Sequence, residues 1–335
     1  MPHPGDIRAF RRHADWALVA ATAQELGIID ALAQGPATAE ALAARLSLSP
    51  RGVTILLGAL EGLSVVRRDP EGFRLTGAAR GRLVDSDTPD YEAASLRHWL
   101  HGVRRWAAEL PEALRRGAPV GDDGPSRGAP REPEALERFM AAMENKDPEL
   151  VARVVDRCLA RVPGAERMLD VGGGPGTFAR AFAARGIRAT LLDRPEVIDF
   201  VGPRYGLSSH PSVELVAGDF LTELPEGEFD IILVANITHI YPAPVNAELF
   251  RQLAGRLGKS GALAVVDFVR ELSEFAPLFA ITMLLNTEAG DTYRLAEYEA
   301  WLEAAGLHEV RWSPVGADVQ LITATLQAST SVEAG

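Results

Sequence analysis

The fold is decided by the stretch Leu169-Asp170-Val171-Gly172-Gly173-Gly174-Pro175-Gly176-Thr177-Phe178, in a chain of 335 residues. A predicted strand runs here into glycines, and a helix begins directly after them. Glycine lets a ligand approach the backbone closely, and a helix N-terminus presents unpaired N–H groups. A dinucleotide site would close this loop with a third spaced glycine, but Ala179 stands there, and Pro175 crowds the place of a pyrophosphate. Taken alone, the loop predicts either a close-approach ligand site or only a tight turn.

Strands and helices alternate from this stretch onward. Helical stretches near 177–185, 195–204, 245–257 and 296–305 follow apolar segments typical of buried strands. This rhythm predicts an α/β fold with a doubly wound parallel sheet and helices on both faces. Two last strand-like segments without a helix between them predict a terminal antiparallel hairpin, which gives a seven-stranded sheet. The predicted strands are 167–171, 188–193, 213–217, 229–235, 262–269, 307–312 and 318–326.

Acidic residues follow the next two strands. Asp193 ends the second strand, where a carboxylate can accept hydrogen bonds from ribose hydroxyls. Asp219 and Phe220 follow the third strand, where an acid and a ring could contact the edge and face of adenine. Each acid alone is more often a solvated turn residue. Because ligands of open α/β sheets bind at the carboxyl ends of the strands, the loop and the two acids together predict a nucleoside pocket.

The first 85 residues have the pattern of a winged helix. Helices are predicted over 15–26, 38–46 and 49–62, and strands over 65–68 and 73–75. Such a domain often binds DNA, but this one holds ten Arg against nine Asp and Glu, a charge of only +1. Its third helix is rich in aliphatic residues and has one basic side chain, whereas a helix that reads a groove needs hydrogen-bonding groups. The pattern favours a dimer interface over DNA binding.

The segments between these two regions are a helix over 86–116, a loop over 117–134 with four Gly and four Pro, and a helix over 135–160 that Pro148 interrupts. The last nine residues are predicted to be a frayed tail.

The composition excludes several classes of protein. The net charge of −12 disfavours binding to nucleic acid and to anionic membranes. No apolar run is long enough to span a bilayer, and the N-terminus lacks the apolar stretch of a signal peptide. The single cysteine, Cys158, excludes an internal disulfide and a cysteine-cluster zinc site. These features predict a cytoplasmic protein without nucleic-acid or membrane partners.

The glycine loop, Leu192-Asp193, Gly218-Asp219-Phe220 and the terminal hairpin resemble the class I S-adenosylmethionine-dependent methyltransferases. With its winged helix, the chain is similar to the small-molecule O-methyltransferases, which include plant caffeate and bacterial polyketide enzymes. The resemblance implies a Rossmann-like seven-stranded sheet and a mainly α-helical winged-helix N-terminal domain. It also implies a dimerisation domain at 1–110, a linker loop and helix at 111–160, a catalytic domain at 161–335, and a homodimer. S-adenosylmethionine is the implied cofactor, S-adenosylhomocysteine its product, and no metal is needed. The implied cofactor contacts are Asp170, Gly172, Gly174, Gly176, Asp193, Arg194, Asp219, Phe220, Asn236 and Tyr241.

The same resemblance implies a catalytic group. The general-base histidine of the family matches His239, and the family acid 28 residues later matches Asp267. A second family acid is best matched by Asp291, with Glu288 as the rival. A histidine flanked by carboxylates suits proton abstraction from a hydroxyl, because the acid orients the ring and stabilises its cation. A histidine that only caps a strand end is the alternative.

The chain also departs from the family pattern. Ile240 and Tyr241 stand where Asp and Trp usually follow the histidine, Ala235 replaces a Lys, and Asp267 replaces a Glu with one more methylene. These changes keep open a C- or N-methyltransferase and a non-methylating member of the fold. A ligand-sensing winged-helix regulator is a further alternative, which the acidic charge and His239 disfavour. The expected reaction is methyl transfer to a hydroxyl of a small aromatic or polyketide-like molecule. The substrate contacts expected from the family are Phe139, Met140, Met143, Phe279, Met283 and Asn286.

Overall fold

The computed structural model describes residues 7–86, 88, 91–120, 133–144 and 146–326. The chain divides into two compact units, Met1–Arg104 and Arg105–Gly335. Most of the predicted loop (121–132) and the predicted tail (327–335) lie outside the described residues.

The first unit consists of short helices and a two-stranded hairpin. Thr38 and Ser49 cap two of the helices, because their hydroxyls accept the N–H groups of Ala41 and Gly52. The predicted helices and hairpin are confirmed, but two short helices were not predicted, and the first helix begins earlier than expected. The elements are α1 Ile7–Glu25, α2 Ile28–Ala33, α3 Ala39–Leu46, α4 Pro50–Gly62, β1 Val66–Asp69, β2 Gly72–Leu75 and α5 Gly77–Leu83.

Three further helices precede the sheet: α6 Ala93–Arg116, α7 Pro133–Glu144 and α8 Pro148–Arg161. The predicted helix over 135–160 is therefore two helices. Pro148 stands in the first turn of α8, and the Asp147 carboxylate accepts the N–H of Glu149. The predicted break is thus a helix start rather than a kink.

The second unit contains the seven-stranded sheet, in the order β5-β4-β3-β6-β7-β9-β8. Strands β3 to β7 are parallel, and β9 pairs antiparallel with both β7 and β8. The predicted parallel sheet with a terminal hairpin is confirmed. The strand predicted over 262–269 begins earlier and ends two residues sooner. The strands are β3 Arg167–Val171, β4 Arg188–Asp193, β5 Val213–Ala217, β6 Phe229–Ala235, β7 Leu257–Asp267, β8 Leu307–Pro314 and β9 Gln320–Leu326.

Each face of the sheet is covered by helices and has its own core. Successive strand residues point to opposite faces, so the neighbours Met168 and Leu169 lie in different cores. The carboxyl ends of the parallel strands meet at one rim, which brings the glycine loop, Asp193 and Asp267 together. Helices α9 Thr177–Ala183 and α10 Pro195–Arg204 join α8 on one face, and α11 Ala243–Ala254 and α13 Leu295–Ala304 cover the other. The remaining helix, α12 Ala276–Asn286, belongs to neither core. No helix of the described ranges is both long and apolar enough to cross a membrane.

Candidate active site

The glycine loop adopts a backbone that only glycine accepts without strain. Gly172, Gly174 and Gly176 have φ angles of 65°, 53° and 76°. A Cβ on Gly172 would lie 2.5 Å from Cδ1 of Ile237, so this glycine allows close packing. At Gly174, by contrast, the nearest described atom to such a Cβ would be the Met140 sulfur, at 3.8 Å. The loop therefore presents open space above Gly174.

Asp193 fastens the glycine loop to the end of β4. Its Oδ2 accepts the N–H of Gly174 at 2.8 Å, and its Oδ1 accepts the N–H of Arg194 at 2.8 Å. Burial raises the pKa of Asp193, and these two N–H groups oppose the rise. A carboxylate oxygen has two lone pairs, so both oxygens retain acceptor capacity for a ribose hydroxyl. The Arg194 side chain pairs with Glu196 at 3.1 Å.

Asp170 is a buried acid behind the same loop. Its Oδ2 accepts the N–H of Ala179 at 3.2 Å, whereas its Oδ1 has no hydrogen-bond partner among the described residues. Burial raises the pKa of Asp170 to about 7, although the Lys146 ammonium opposes the rise. Lys146 donates to the carbonyl of Met143 at 2.6 Å. The sequence interpretation missed Lys146, which follows α7 and carries no motif.

Aromatic rings stand beside the loop. The Phe220 and Tyr241 rings meet edge to face with centroids 5.9 Å apart. Phe220 is buried against Gly172, whereas Asp219 is exposed and accepts the N–H of Leu221 at 3.0 Å. Burial, and then Asp219, raise the pKa of Tyr241 to about 12, so its hydroxyl is neutral. Tyr241 is thus the partly exposed ring here, and Phe220 supports it from the core.

His239 lies just past β6, in a 3₁₀ turn over Thr238–Ile240. The turn follows Asn236, whose φ of 57° is one that asparagine tolerates better than most residues, and whose N–H donates to the carbonyl of Val266. His239 Nδ1 is 2.7 Å from Oδ1 of Asp267. Asp267 is buried at the end of β7, and its shorter side chain reaches the imidazole because the turn lies close to the strand end. The structure brings this predicted pair together.

Four donors surround the Asp267 carboxylate. Oδ1 accepts from His239 Nδ1 and from the N–H of Phe268 at 2.8 Å. Oδ2 accepts the hydroxyl of Thr238 at 2.5 Å and, more weakly, the N–H of His239 at 3.4 Å. Burial by itself raises the pKa of Asp267, but His239, Thr238 and the Phe268 N–H outweigh burial and lower it overall. The carboxylate is ionised, Nδ1 of His239 holds a proton, and Nε2 is the basic nitrogen.

The structure does not bring the predicted second acid, Asp291, to the imidazole. Its carboxylate binds Arg270, with 2.5 Å between Oδ1 and Nη2, rather than the imidazole. The preceding Gly290 packs against the backbone of His239 and Ile240, where a Cβ would lie 2.3 Å from the His239 carbonyl oxygen. The loop therefore supports the turn through its backbone. The rival acid, Glu288, is exposed.

A wall of phenylalanines flanks His239. The Phe279 ring meets the imidazole edge to face, with centroids 4.8 Å apart. Phe268 lies 4.6 Å from Phe279, and Phe275, which is 40% exposed, lies 5.8 Å from it. We call Phe268, Phe275 and Phe279 the aromatic wall. Of these three residues, only Phe279 was predicted as a substrate contact. Phe268 lies at the end of β7 and Phe275 lies just before α12, so neither belongs to a helical pattern.

The other predicted substrate contacts differ in burial and in the groups that they contact. Met283 is buried in α12, and Asn286 at its end accepts from Arg105 at 2.6 Å and donates to the carbonyl of Thr282. Met140 of α7 lies over Gly174, whereas Phe139 packs against the core of the sheet. Met143 contributes its carbonyl to Lys146. Within the described ranges, no group of three or more His, Cys, Asp or Glu side chains is arranged to hold a metal ion.

Residues 126–308 match the family model of an O-methyltransferase domain, and residues 17–85 match that of an O-methyltransferase dimerisation domain. The chain is 29% identical to the tetracenomycin polyketide synthesis 8-O-methyl transferase TcmO of Streptomyces glaucescens over 326 residues, covering 93% of this chain and 94% of the relative. It is 27% identical to a 3-hydroxy-5-methyl-1-naphthoate 3-O-methyltransferase of Streptomyces sahachiroi, covering 86% and 84%.

A solved structure shows the same fold. Human N-acetylserotonin methyltransferase, solved in complex with S-adenosylmethionine, superposes with a TM-score of 0.80 at 22% identity, covering 97% of this chain and 99% of the human one.

Proposed function

The chain belongs to the O-methyltransferase family, and from this premise we propose that it transfers the methyl group of S-adenosylmethionine to a hydroxyl of a small aromatic or polyketide-like molecule, with His239 as general base. The relatives support the class of substrate, because both bacterial enzymes are named for O-methylation, one in polyketide synthesis and one on a naphthoate.

The observation that carries the proposal is the 2.7 Å contact between His239 Nδ1 and the ionised Asp267. It leaves Nε2 as the basic nitrogen, which can take the proton of a hydroxyl. The carboxylate stabilises the imidazolium that forms, and the ring of Phe279 meets the imidazole edge to face. Asp267 thus positions the base, and Asp291 has no part in the proposed reaction.

The residues present at the rim fit the cofactor. The space above Gly174 admits a ligand against the backbone, and Asp193 retains acceptor capacity for ribose hydroxyls. The unpartnered Oδ1 of Asp170 adds a buried polar atom behind the loop that can take one more hydrogen bond. When bound, S-adenosylmethionine supplies a methyl group on a cationic sulfur, which leaves as a neutral thioether without a metal. Holding the two reactants in line is then the main contribution of the protein. The further residues we propose for the cofactor site are Gly172, Gly176, Arg194, Asp219, Phe220, Asn236 and Tyr241.

The aromatic wall favours a flat apolar substrate. Phe268, Phe275 and Phe279 offer ring faces and edges beside His239, and rings in such arrangements attract other rings. We propose that Met140, Met143 and Phe139 of α7, with Met283 and Asn286 of α12, complete the pocket.

We also propose that residues 1–110 form the dimerisation domain, 111–160 the linker and pocket helix, and 161–335 the catalytic domain. The match of residues 17–85 to a dimerisation domain supports a homodimer.

The test is transfer of labelled methyl from S-adenosylmethionine to a panel of phenols, naphthols and hydroxyquinones, with matched anilines and O-blocked analogues. Mass spectrometry of the products then locates the methyl group. Methyl on oxygen, with no reaction of the O-blocked analogues, supports the proposal. Methyl on nitrogen or carbon would keep the methyltransferase and overturn the hydroxyl chemistry. S-adenosylmethionine that binds with no transfer to any acceptor would indicate a non-methylating member of the fold.

A further inference from the structure

The carboxylate beside His239 is the end of a longer chain of hydroxyl groups. The Thr238 hydroxyl lies 2.5 Å from Oδ2 of Asp267 and 2.7 Å from the hydroxyl of Tyr298. Thr238 and Tyr298 are fully buried, and Tyr298 comes from α13. The chain thus runs Tyr298, Thr238, Asp267, His239.

The direction of every proton in this chain is fixed. The ionised Asp267 can only accept, so the Thr238 hydroxyl donates its single proton to Oδ2. Thr238 must then accept from Tyr298. Burial, and then Asp267, raise the pKa of Tyr298 well above its usual value, so the phenol keeps the proton that it donates. All donors in the chain therefore point toward the carboxylate.

We infer that Thr238 and Tyr298 are positioning residues for the reaction: their hydroxyl chain fixes the carboxylate of Asp267 and thereby the orientation and protonation of His239. This inference rests on the proposed role of His239. The hydroxyl chain compensates for the missing methylene of Asp267, because a short side chain held at Oδ2 presents Oδ1 to the imidazole at one angle. Asn246 reinforces the arrangement, since its buried Nδ2 donates to the carbonyls of Thr238 and Tyr241 at 2.8 and 3.1 Å.

The inference predicts a change in pH dependence that a merely structural role would not produce. With one donor fewer, the carboxylate carries more uncompensated charge and stabilises the imidazolium more strongly. The acidic limb of the pH–rate profile should therefore move to higher pH. The rate on the plateau should fall, because the imidazole is held less tightly; a hydrogen bond to a charged group corresponds to a loss of about ten- to hundredfold.

Thr238→Val removes the hydroxyl at nearly constant shape, and Thr238→Ser keeps it. We expect Thr238→Val to lower kcat by about ten- to hundredfold and to move the acidic limb to higher pH. Its affinity for S-adenosylmethionine, measured by calorimetry, should not change. Thr238→Ser should restore kcat and the acidic limb. Tyr298→Phe should lower kcat and move the acidic limb upward by smaller amounts. If Thr238→Val fails to fold, Tyr298→Phe alone tests the positioning role of the hydroxyl chain. Tyr293→Phe is the matched control: its ring lies 6.4 Å from Tyr298, but its hydroxyl donates to the carbonyl of Tyr241 rather than to the chain. Its acidic limb should not move.

Unmoved acidic limbs in Tyr298→Phe and in folded Thr238→Val, whatever their kcat, would overturn the inference. His239→Ala, measured alongside, separates the two proposals. If His239→Ala is nearly inactive while the hydroxyl variants keep the wild-type profile, only the positioning chain is wrong. If His239→Ala retains full activity, the proposed general base is wrong and the chain has no base to position.

Discussion

At the scale of single residues, buried charge is tolerated here only where donors surround it. Asp267 accepts four hydrogen bonds and its pKa is lowered overall, whereas Asp170 accepts one and its pKa rises to about 7. Two acids at the same rim therefore differ in charge near neutral pH. One serves as a permanent anion, and the other is poised to change its charge.

Asp170 should make the stability of the protein depend on pH. Between about pH 4 and pH 7 the unfolded chain is ionised at this position while the folded chain is protonated, so the free energy of unfolding falls as pH rises, by up to about 1.4 kcal/mol per pH unit. Asn does not titrate. We expect the stability of Asp170→Asn, relative to wild type, to increase across this window and to level off above it. Chemical denaturation at pH 5 and pH 8 measures the difference, with the exposed Asp199→Asn as control for the loss of one charge. An equal difference at both pH values would contradict the buried, protonated acid.

The residues of the site could be predicted only in part. The family spacing predicted His239 and Asp267, and the structure places their side chains in contact, while their catalytic role stays a prediction. Thr238 and Tyr298 were missed because a threonine and a tyrosine 60 residues apart carry no local signal. Asp291 was placed beside His239 by its loop, yet it binds Arg270, and sequence alone does not show which of two nearby partners an acid will take.

At the scale of elements, the parallel strands were the most predictable part of the chain. Strands β3, β4 and β6 are short, largely buried runs, whereas the edge strand β5 is partly exposed, and the predicted bounds of all four agree with the structure. The helix α12 was not predicted as an element, because it is apolar on nearly all sides and lacks the polar face that gives a helical period. The short helix α2 begins after Gly27, which has a left-handed backbone and no capping side chain, so no start signal marks it.

Two glycines with positive φ allow an effect on cofactor binding to be distinguished from the effect of backbone strain. Gly174 and Gly186 both have positive φ, of 53° and 85°, and a Cβ on either meets no described atom closer than 3.8 Å. Gly174→Ala and Gly186→Ala should therefore cost similar stability, about 1 kcal/mol each. Only Gly174→Ala places a methyl group in the space above the loop, so only this variant should weaken S-adenosylmethionine binding, by at least about tenfold. Thermal unfolding and calorimetry measure the two effects. Equal affinities in the two variants would show that the cofactor does not approach Gly174.

At the scale of the whole molecule, the chain combines a small unit that matches a dimerisation domain with a sheet unit that carries the chemistry. The small unit exposes large apolar side chains: Ile55 of α4 is 57% exposed and Trp16 of α1 is 48% exposed. Obligate dimers bury exposed apolar side chains of this kind over interfaces often above about 2,000 Å².

We expect the homodimer to depend on the exposed side chains of Ile55 and Trp16. We expect light scattering at micromolar concentration to give a dimer mass for the wild type and a shift toward monomer for Ile55→Lys. Trp312→Lys is the control, because Trp312 is 45% exposed on β8 in the other unit and should leave the dimer intact. A monomeric wild type, or equal behaviour of the two variants, would refute the assignment of the interface.

The general base is tested by the rate of methyl transfer to a hydroxyl acceptor by His239→Ala, measured beside the affinity of this variant for S-adenosylmethionine. A positioned base contributes about a hundred- to ten-thousandfold, so the rate should fall by that order while the affinity stays within about twofold of wild type. Asp267→Asn should lie between the two, because it loosens the imidazole without removing it. A His239→Ala enzyme that keeps most of its rate would show that His239 is not the general base, since the acceptor would then be ionised already or would attack through carbon or nitrogen.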